Sequence, residues 1–255
     1  MRKYLMDGHV HSLVSGHAYN TIQELVDVAN ARGLELICMT EHGTKLPGAP
    51  LPIYFANYGV IPSVIDNVRV LKGIEANILD EYGTLDLPSF GQDKLEIVSA
   101  SLHDICIEPS TKEKNTSAVL GAIENPMVDF LCHLGNPTYE LDYEAILQSA
   151  KKHDKMIEIN NGSFFIRKGS AKNCVAIAKR CAELDIPLIL GTDTHYKEDL
   201  GKFPYADRAL TLAGVPDELI VNLKPEMLLN ILKDHGKTIG QKKRASLDEV
   251  FDFDY

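Results

Sequence analysis

Residues 21–43 read TIQELVDVANARGLELICMTEHG, and both halves of the unit from which the chain is built are present in them. The first half carries apolar residues at helical spacing, with Thr21 and Glu24 three apart as a capping box and Gly33 just past the last turn. The second half, LELICMT, is a nearly unbroken apolar run of strand length, as a strand buried on both faces requires. His42 follows at once, in TEHG. The stretch thus predicts a helix, a buried strand and a metal-ligating residue type at the strand's C-terminal end.

The same alternation recurs outward in both directions. YLMD, VRVLKGIEA, LEIVSAS, VDFLC, KMIEIN and IPLILGT read as further strands. NTSAVLGAIEN, DYEAILQSAKKHD, AKNCVAIAKRCAELD, YADRALTLAG and PEMLLNILKDHG read as helices, with a short ELIVNL segment before the last. NILDEYGTLDLP predicts a hairpin turning at Tyr82-Gly83. No repeat or domain linker interrupts the series. Solid apolar strands alternating with amphipathic helices predict an α/β fold with a parallel sheet covered by helices. Two stretches do not fit. GTKLPGAPLPIYFANYGVIP (43–62) is either a proline-stiffened surface loop or a loop that closes over a site. QKKRASLDEVFDFDY (241–255) reads as a loosely docked or frayed tail beyond a domain spanning 1–240.

Composition bounds the function. The chain has 255 residues, 45% hydrophobic and 24% charged, as an ordinary globular protein does. A formal net charge of −10 argues against extensive nucleic-acid binding. It leaves open a local pocket where bound cations set the field. There is no apolar run of membrane-spanning length and no apolar segment with a small-residue cleavage site at the N-terminus, and the five cysteines lack close metal-ligand pairs. Reduced thiols and a cytoplasmic location are expected.

The histidines carry the chemistry. Of nine, seven (His9, His11, His17, His42, His103, His133 and His195) fall just past expected strand ends or in the loop that follows; Glu75 and Asp193 do likewise. In a parallel sheet or barrel those ends share one face, so these residues converge. His9-x-His11 and Asp193-x-His195 place two donors on one side of extended backbone. Imidazole with carboxylate suits Zn, Fe, Ni or Mn rather than Ca or Mg. So many donors exceed the four of a tetrahedral zinc site, which implies more than one metal, with Glu75 the candidate bridge. His153 and His235 lie in last helical turns, where a cation faces the negative helix end and no further role is needed.

DGHVHS, TEHG, GIEAN, the histidine after the next strand, HLGNP, EINNGSF, RKGS and LGTDTH occur in this order, and together they resemble the PHP (polymerase and histidinol phosphatase) superfamily. The YcdX-type phosphatase branch is the closest match, from Tyr4 to about Leu232. The resemblance implies a single-domain, TIM-like, distorted (βα)7 barrel with three divalent metal ions, usually Zn2+, with Mn2+ or Fe2+ as alternatives. It assigns His9, His11, Glu75 and Asp193 to the first metal; His17, His42 and His195 to the second; and Glu75, His103 and His133 to the third. Ser12, Glu41 and the HDI after the fourth strand depart from the common pattern and bear on substrate preference.

The implied reaction is hydrolysis of a phosphomonoester of a small metabolite by metal-bound hydroxide, since a cation brings the pKa of water from about 15.7 to roughly 7. Asp7 either orients His9 or His11 or simply ends its strand. Arg167 and Lys168 either clamp substrate phosphate or form a solvated basic loop. Asn136, Asn160 and Asn161 are substrate donors or ordinary turn residues. A phosphodiesterase or nuclease on the same metals, and a non-catalytic metal-binding protein, are the competing functions. A homotrimer is suggested only by analogy.

Overall fold

The capping box at the start of residues 21–43 forms as expected. The Thr21 hydroxyl accepts from the Glu24 backbone N–H, the Glu24 carboxylate accepts from the Thr21 N–H, and helix α1 (Ile22–Ala31) follows. Gly33 supplies the left-handed φ of +71° that turns the chain into strand β2 (Leu36–His42), whose seven residues are all buried. This computed structural model describes residues 2–240, so the tail expected at 241–255 lies outside the described residues.

Among the described residues, seven parallel strands form one sheet, joined by a short antiparallel partner. β1 (Met6–Val10), β2, β4 (Val68–Asn77), β5 (Ile97–Ser101), β6 (Phe130–Leu131), β7 (Met156–Asn160) and β8 (Leu188–Gly191) lie side by side in that order. β3 (Val64–Ile65) pairs with β4 across Asp66 and Asn67, both at positive φ as a tight hairpin turn demands. Helices α2 (Pro52–Ala56), α3 (Lys112–Glu124), α4 (Tyr143–Lys152), α5 (Ser163–Ile166), α6 (Ser170–Glu183), α7 (Pro204–Ala213) and α8 (Pro225–Asp234) complete the chain.

The sheet curls into a barrel whose seam joins the first strand to the last. Near the C-terminal ends the seam is main chain: the Asp193 N–H donates to His9 O at 2.9 Å and the His11 N–H to Thr194 O at 3.0 Å. Farther down, side chains stand in for the missing ladder. Asp7 accepts from the Thr192 N–H and hydroxyl and from the Gly201 N–H. Asn222 is wedged between the strands: its Oδ1 accepts from the Leu190 N–H, and its Nδ2 donates to Leu190 O and Met6 O. Gly8 leaves no alternative there, because a Cβ would lie 2.5 Å from the Ile189 side chain. This seam is the distortion that separates the molecule from a regular barrel.

Strand alternation sorts side chains between two cores. Met6, Leu36, Cys38, Leu71, Ile97, Phe130, Cys132, Met156 and Ile189 face inward and are closed from below by Val221, Leu228 and Leu232. Neighbours such as Ile74, Val98, Leu131, Ile157 and Leu190 face outward against the helices. Both faces are therefore dry, which is why the strands read as solid apolar runs. The structure thus confirms the TIM-like α/β barrel. Strands extend past the expected ends, so His9 and His42 belong to β1 and β2 rather than following them. The hairpin at 77–88 is reduced to one bridge, Ile78 with Leu85. The proline-rich stretch docks rather than hanging free: Phe55 and Tyr58 are fully buried, while Leu51 and Ile53 stay exposed.

Candidate metal centre

All nine predicted donors meet at the C-terminal end of the barrel. β4 turns 71, 73 and 75 inward in succession, so Glu75 rises directly above the apolar interior. Its Oε1 faces His133 Nε2 at 2.9 Å and His103 Nε2 at 3.4 Å. Its Oε2 faces His42 Nδ1 at 2.9 Å, His9 Nε2 at 3.4 Å and His11 Nε2 at 3.5 Å. Asp193 Oδ1 lies 3.3 Å from His11 Nε2 and 3.6 Å from His9 Nε2. On the outer side, His17 and His195 bring their Nε2 atoms within 2.9 Å, and the His17 and His42 rings stack with centroids 4.9 Å apart.

These contacts test whether cations fit. A tetrahedral Zn site with bonds of about 2.0–2.1 Å separates its donor atoms by roughly 3.3–3.4 Å, close to the spacings around Glu75 and Asp193. Both nitrogens of His42 and Glu75 Oε2 are buried without a hydrogen-bond partner among the described residues, although His42 Nδ1 and Glu75 Oε2 are neighbours. Buried polar atoms are rarely left so, and donors converging without hydrogen-bond alignment suit a shared cation. Three of the triads whose donor atoms all lie within 4.8 Å are His9, His11 and Asp193; His11, His42 and His195; and His42, Glu75 and His103. The second triad contains His11 where the sequence resemblance had His17.

The outward ring nitrogens are held by the protein. His9 Nδ1 meets Glu158 Oε1 at 2.8 Å, His11 Nδ1 meets Ser15 Oγ at 3.1 Å, His103 Nδ1 meets Asn77 Oδ1 at 2.6 Å and His195 Nδ1 meets Asp193 O at 2.8 Å. A proton on Nδ1, which these partners favour, would turn the Nε2 lone pair into the cluster where a cation is bound. Behind these partners, Asp86 accepts from Asn77, and Glu41 accepts from Ser12 and Ser15. Sequence reasoning missed Glu158, Asn77, Asp86 and Ser15. Glu158 alone left a signal, an acid at the inward position of the apolar run KMIEIN. Two of the converging residues, His133 and Asp193, have positive φ, +35° and +58°. Such backbone costs about 1–3 kcal/mol per residue and persists only where surroundings impose it.

Electrostatics follow the packing. Burial pushes the Glu75 carboxyl up, but His103, His9 and the hydrogen bond with His133 outweigh it and hold it well below the usual range. Burial is likewise outweighed at Asp193 by His9, His11 and Arg167. His11 is driven well below its ordinary value and His103 to about 3, by burial first; neighbouring imidazoles add to this at both. His9 goes the other way: burial is outweighed by Cys132, Glu158, Glu75 and Asp193, which raise it well above its ordinary value. The centre therefore sets anionic carboxylates at Glu75 and Asp193 beside neutral imidazoles at His11 and His103, the protonation states that coordinate cations.

Of the other predicted residues, Asp7 does not orient either imidazole. Its buried carboxylate is taken up by Thr192 and Gly201 in the seam and by the His9 backbone N–H, while Glu158 and Ser15 hold the two rings. Arg167 does reach the centre: both terminal nitrogens lie 3.4 Å from Asp193 Oδ2, and Nη1 donates to Ser163 Oγ at 3.0 Å. Lys168 is exposed beside it. Asn161 Oδ1 instead caps α7, accepting from the Tyr205 and Ala206 N–H groups. Asn136 behaves as a turn residue, its Oδ1 accepting from the Thr138 N–H. Asn160 Nδ2 lies 3.3 Å from Asp193 Oδ2. His153 caps α4, and His235 pairs with Asp129, outside the cluster.

Comparison with known proteins gives consistent results. The family model described as "PHP domain" matches residues 7–236. A probable phosphatase of Thermoanaerobacter sp. (strain X514) is 47% identical over 240 residues, covering 93% of this chain and 98% of the relative. One from Clostridium botulinum (strain Langeland) is 45% identical over 235 residues, covering 92% and 97%. Among solved structures, histidinol phosphate phosphatase of Lactococcus lactis, crystallised with zinc, L-histidinol and phosphate, superposes with a TM-score of 0.61 at 20% identity. That match covers 85% of this chain and 95% of the other.

Proposed function

The chain belongs to the PHP domain family, and from that premise we propose that it is a phosphatase that hydrolyses the phosphomonoester of a small metabolite at a centre of three divalent cations. That it is a phosphoric ester hydrolase is supported by relatives named probable phosphatases along nearly its whole length. The observation that carries the metal reading is the buried, unpartnered trio of His42 Nδ1, His42 Nε2 and Glu75 Oε2 at the middle of the convergence.

His9, His11, Glu75 and Asp193 would hold one cation; His17, His42 and His195 a second; Glu75, His103 and His133 a third. Glu75 would serve both the first and the third, since its Oε2 faces His9 and His11 and its Oε1 faces His103 and His133. Zinc fits this donor set, as do manganese and iron. Cations bound there would supply Lewis-acid charge and a water acidified toward neutral pH.

The chain's own residues determine where substrate arrives. His9, His11 and Glu75 side chains are sealed at 0% exposure, whereas His195 is 27% and His103 15% exposed, so phosphate enters over the His103–His195 side. Arg167, anchored by Ser163 and Asp193, lies beside the Asp193 carboxylate, from which its guanidinium would turn to phosphoryl oxygens. Lys168 adds cationic field beside it. Asp7 and Asn161 hold the scaffold instead of touching substrate.

The test compares p-nitrophenyl phosphate with bis-p-nitrophenyl phosphate, using metal-loaded protein and a chelated control. Chelator-sensitive turnover mainly of the monoester is expected. Preference for the diester would replace this reading with the phosphodiesterase one.

A further inference from the structure

Glu158 lies inside the barrel beneath the centre, fully buried in its side chain, and is not one of the proposed ligands. Its Oε1 accepts from His9 Nδ1 at 2.8 Å, and its Oε2 accepts from the His133 backbone N–H, also at 2.8 Å. Asn160 Nδ2 donates to Oε1 at 3.2 Å. Gly191 makes room for the carboxylate: a Cβ there would sit 2.2 Å from Oε1 and 2.3 Å from the His9 Cβ. The two oxygens thus reach into different ligand sets, one through a ring and the other through a main chain held at positive φ.

We propose that Glu158 is a positioning residue that sets the first and third metal sites together, through the His9 imidazole and the His133 backbone. The inference rests on the ligand assignment above. A carboxylate accepts on both oxygens, so it fixes the proton of His9 on Nδ1 and at the same time pins the strained turn that presents His133 to Glu75. A glutamine of the same shape has one acceptor oxygen. Its NH2 group must face either the His9 Nδ1–H or the His133 N–H. In the first case His9 is pushed to the tautomer whose Nε2 carries the proton and has no lone pair for a metal. In the second the His133 turn loses its anchor. In both cases the remaining contact is to a neutral acceptor.

Chelator-treated parent protein and Glu158→Gln are titrated with Co2+, read by visible absorption, by competition with a chelator and by elemental analysis. Parent protein is expected to take up three equivalents. In the variant, the first and third sites should bind roughly 10–100-fold more weakly with altered spectra, and the second site should keep its parental affinity. A merely structural role would lower the melting temperature of the metal-free protein and leave every affinity unchanged; that result, or weakening of one site only, overturns the proposal. Should Glu158→Gln not fold, Glu158→Asp, which keeps two acceptors one methylene short, is titrated with the same expectation. Parent protein that takes up fewer than three equivalents refutes the ligand assignment and this inference with it, whereas a normal parent with an unaltered variant refutes Glu158 alone.

Discussion

Replacing Asn222 with alanine tests the seam directly. The side chain makes three buried hydrogen bonds: Leu190 N–H to Oδ1 at 2.7 Å, Nδ2 to Leu190 O at 2.8 Å and Nδ2 to Met6 O at 3.0 Å. A typical net contribution is about 1 kcal/mol per bond, rising to about 1–3 kcal/mol where a buried group is left without a partner. The loss is therefore at least about 3 kcal/mol, a large share of the roughly 5–15 kcal/mol that holds a domain folded. At roughly 2–4 °C per kcal/mol for a chain of this size, the melting temperature should fall by about 6–12 °C. The assay is urea and thermal unfolding of chelator-treated protein, so that metal linkage does not mask the change. Asn222→Asp is almost isosteric but should do at least as much harm, since it sets a carboxylate against two carbonyl oxygens. A loss below about 1 kcal/mol for Asn222→Ala would refute the argument that a side chain substitutes for the missing ladder.

Glu75→Gln should preserve the fold while metal content falls by more than one equivalent and turnover collapses; full metal content and an unchanged rate would end the bridging assignment, and His153→Gln in parallel should change neither. Acid should destabilise the metal-free protein from pH 7.5 to 5.5. His11 and His103 are held below their unfolded value near 6.5, so the unfolded chain takes up more protons over that interval, and their stability, complete above about 6.5, drains as pH falls. Asp7, raised to about 6 by burial, and His9, raised well above its ordinary value by the acids around it, oppose this by gaining stability as pH falls. Melting curves across that range, with His103→Gln expected to flatten the slope, decide whether His11 and His103 dominate.

Much of the barrel was legible because both strand faces are dry. That condition makes a parallel strand read as an unbroken apolar run, and it puts each following polar residue at a common end. His42 and Glu75 could be placed together on that ground alone. The strand limits were less legible: β1 continues through His9 because main-chain bonds from Asp193 and His11 extend the seam, a contact between distant segments with no local trace. The two readings of Asp7 could not be separated from sequence for the same reason. Next to two histidines in sequence it resembles their acceptor, yet its partners, Thr192 and Gly201, lie on the far side of the seam. The ring-holding groups other than Glu158 are ordinary Ser, Asn and backbone oxygens, and their types carry no signal.

The seam also sets the order in which the protein becomes competent as it is made. The Asp7–Thr192 contact spans 185 residues, and Asn222 lies 216 residues beyond Met6. At translation speeds of about 5–20 residues per second, His9 and His11 wait roughly 10–40 s for Asp193 and His195 to leave the ribosome. During that interval the nascent chain holds an incomplete set of donors and an open barrel edge. A product that ends before Thr192 therefore lacks two of the nine converging donors and the seam partners of the first strand.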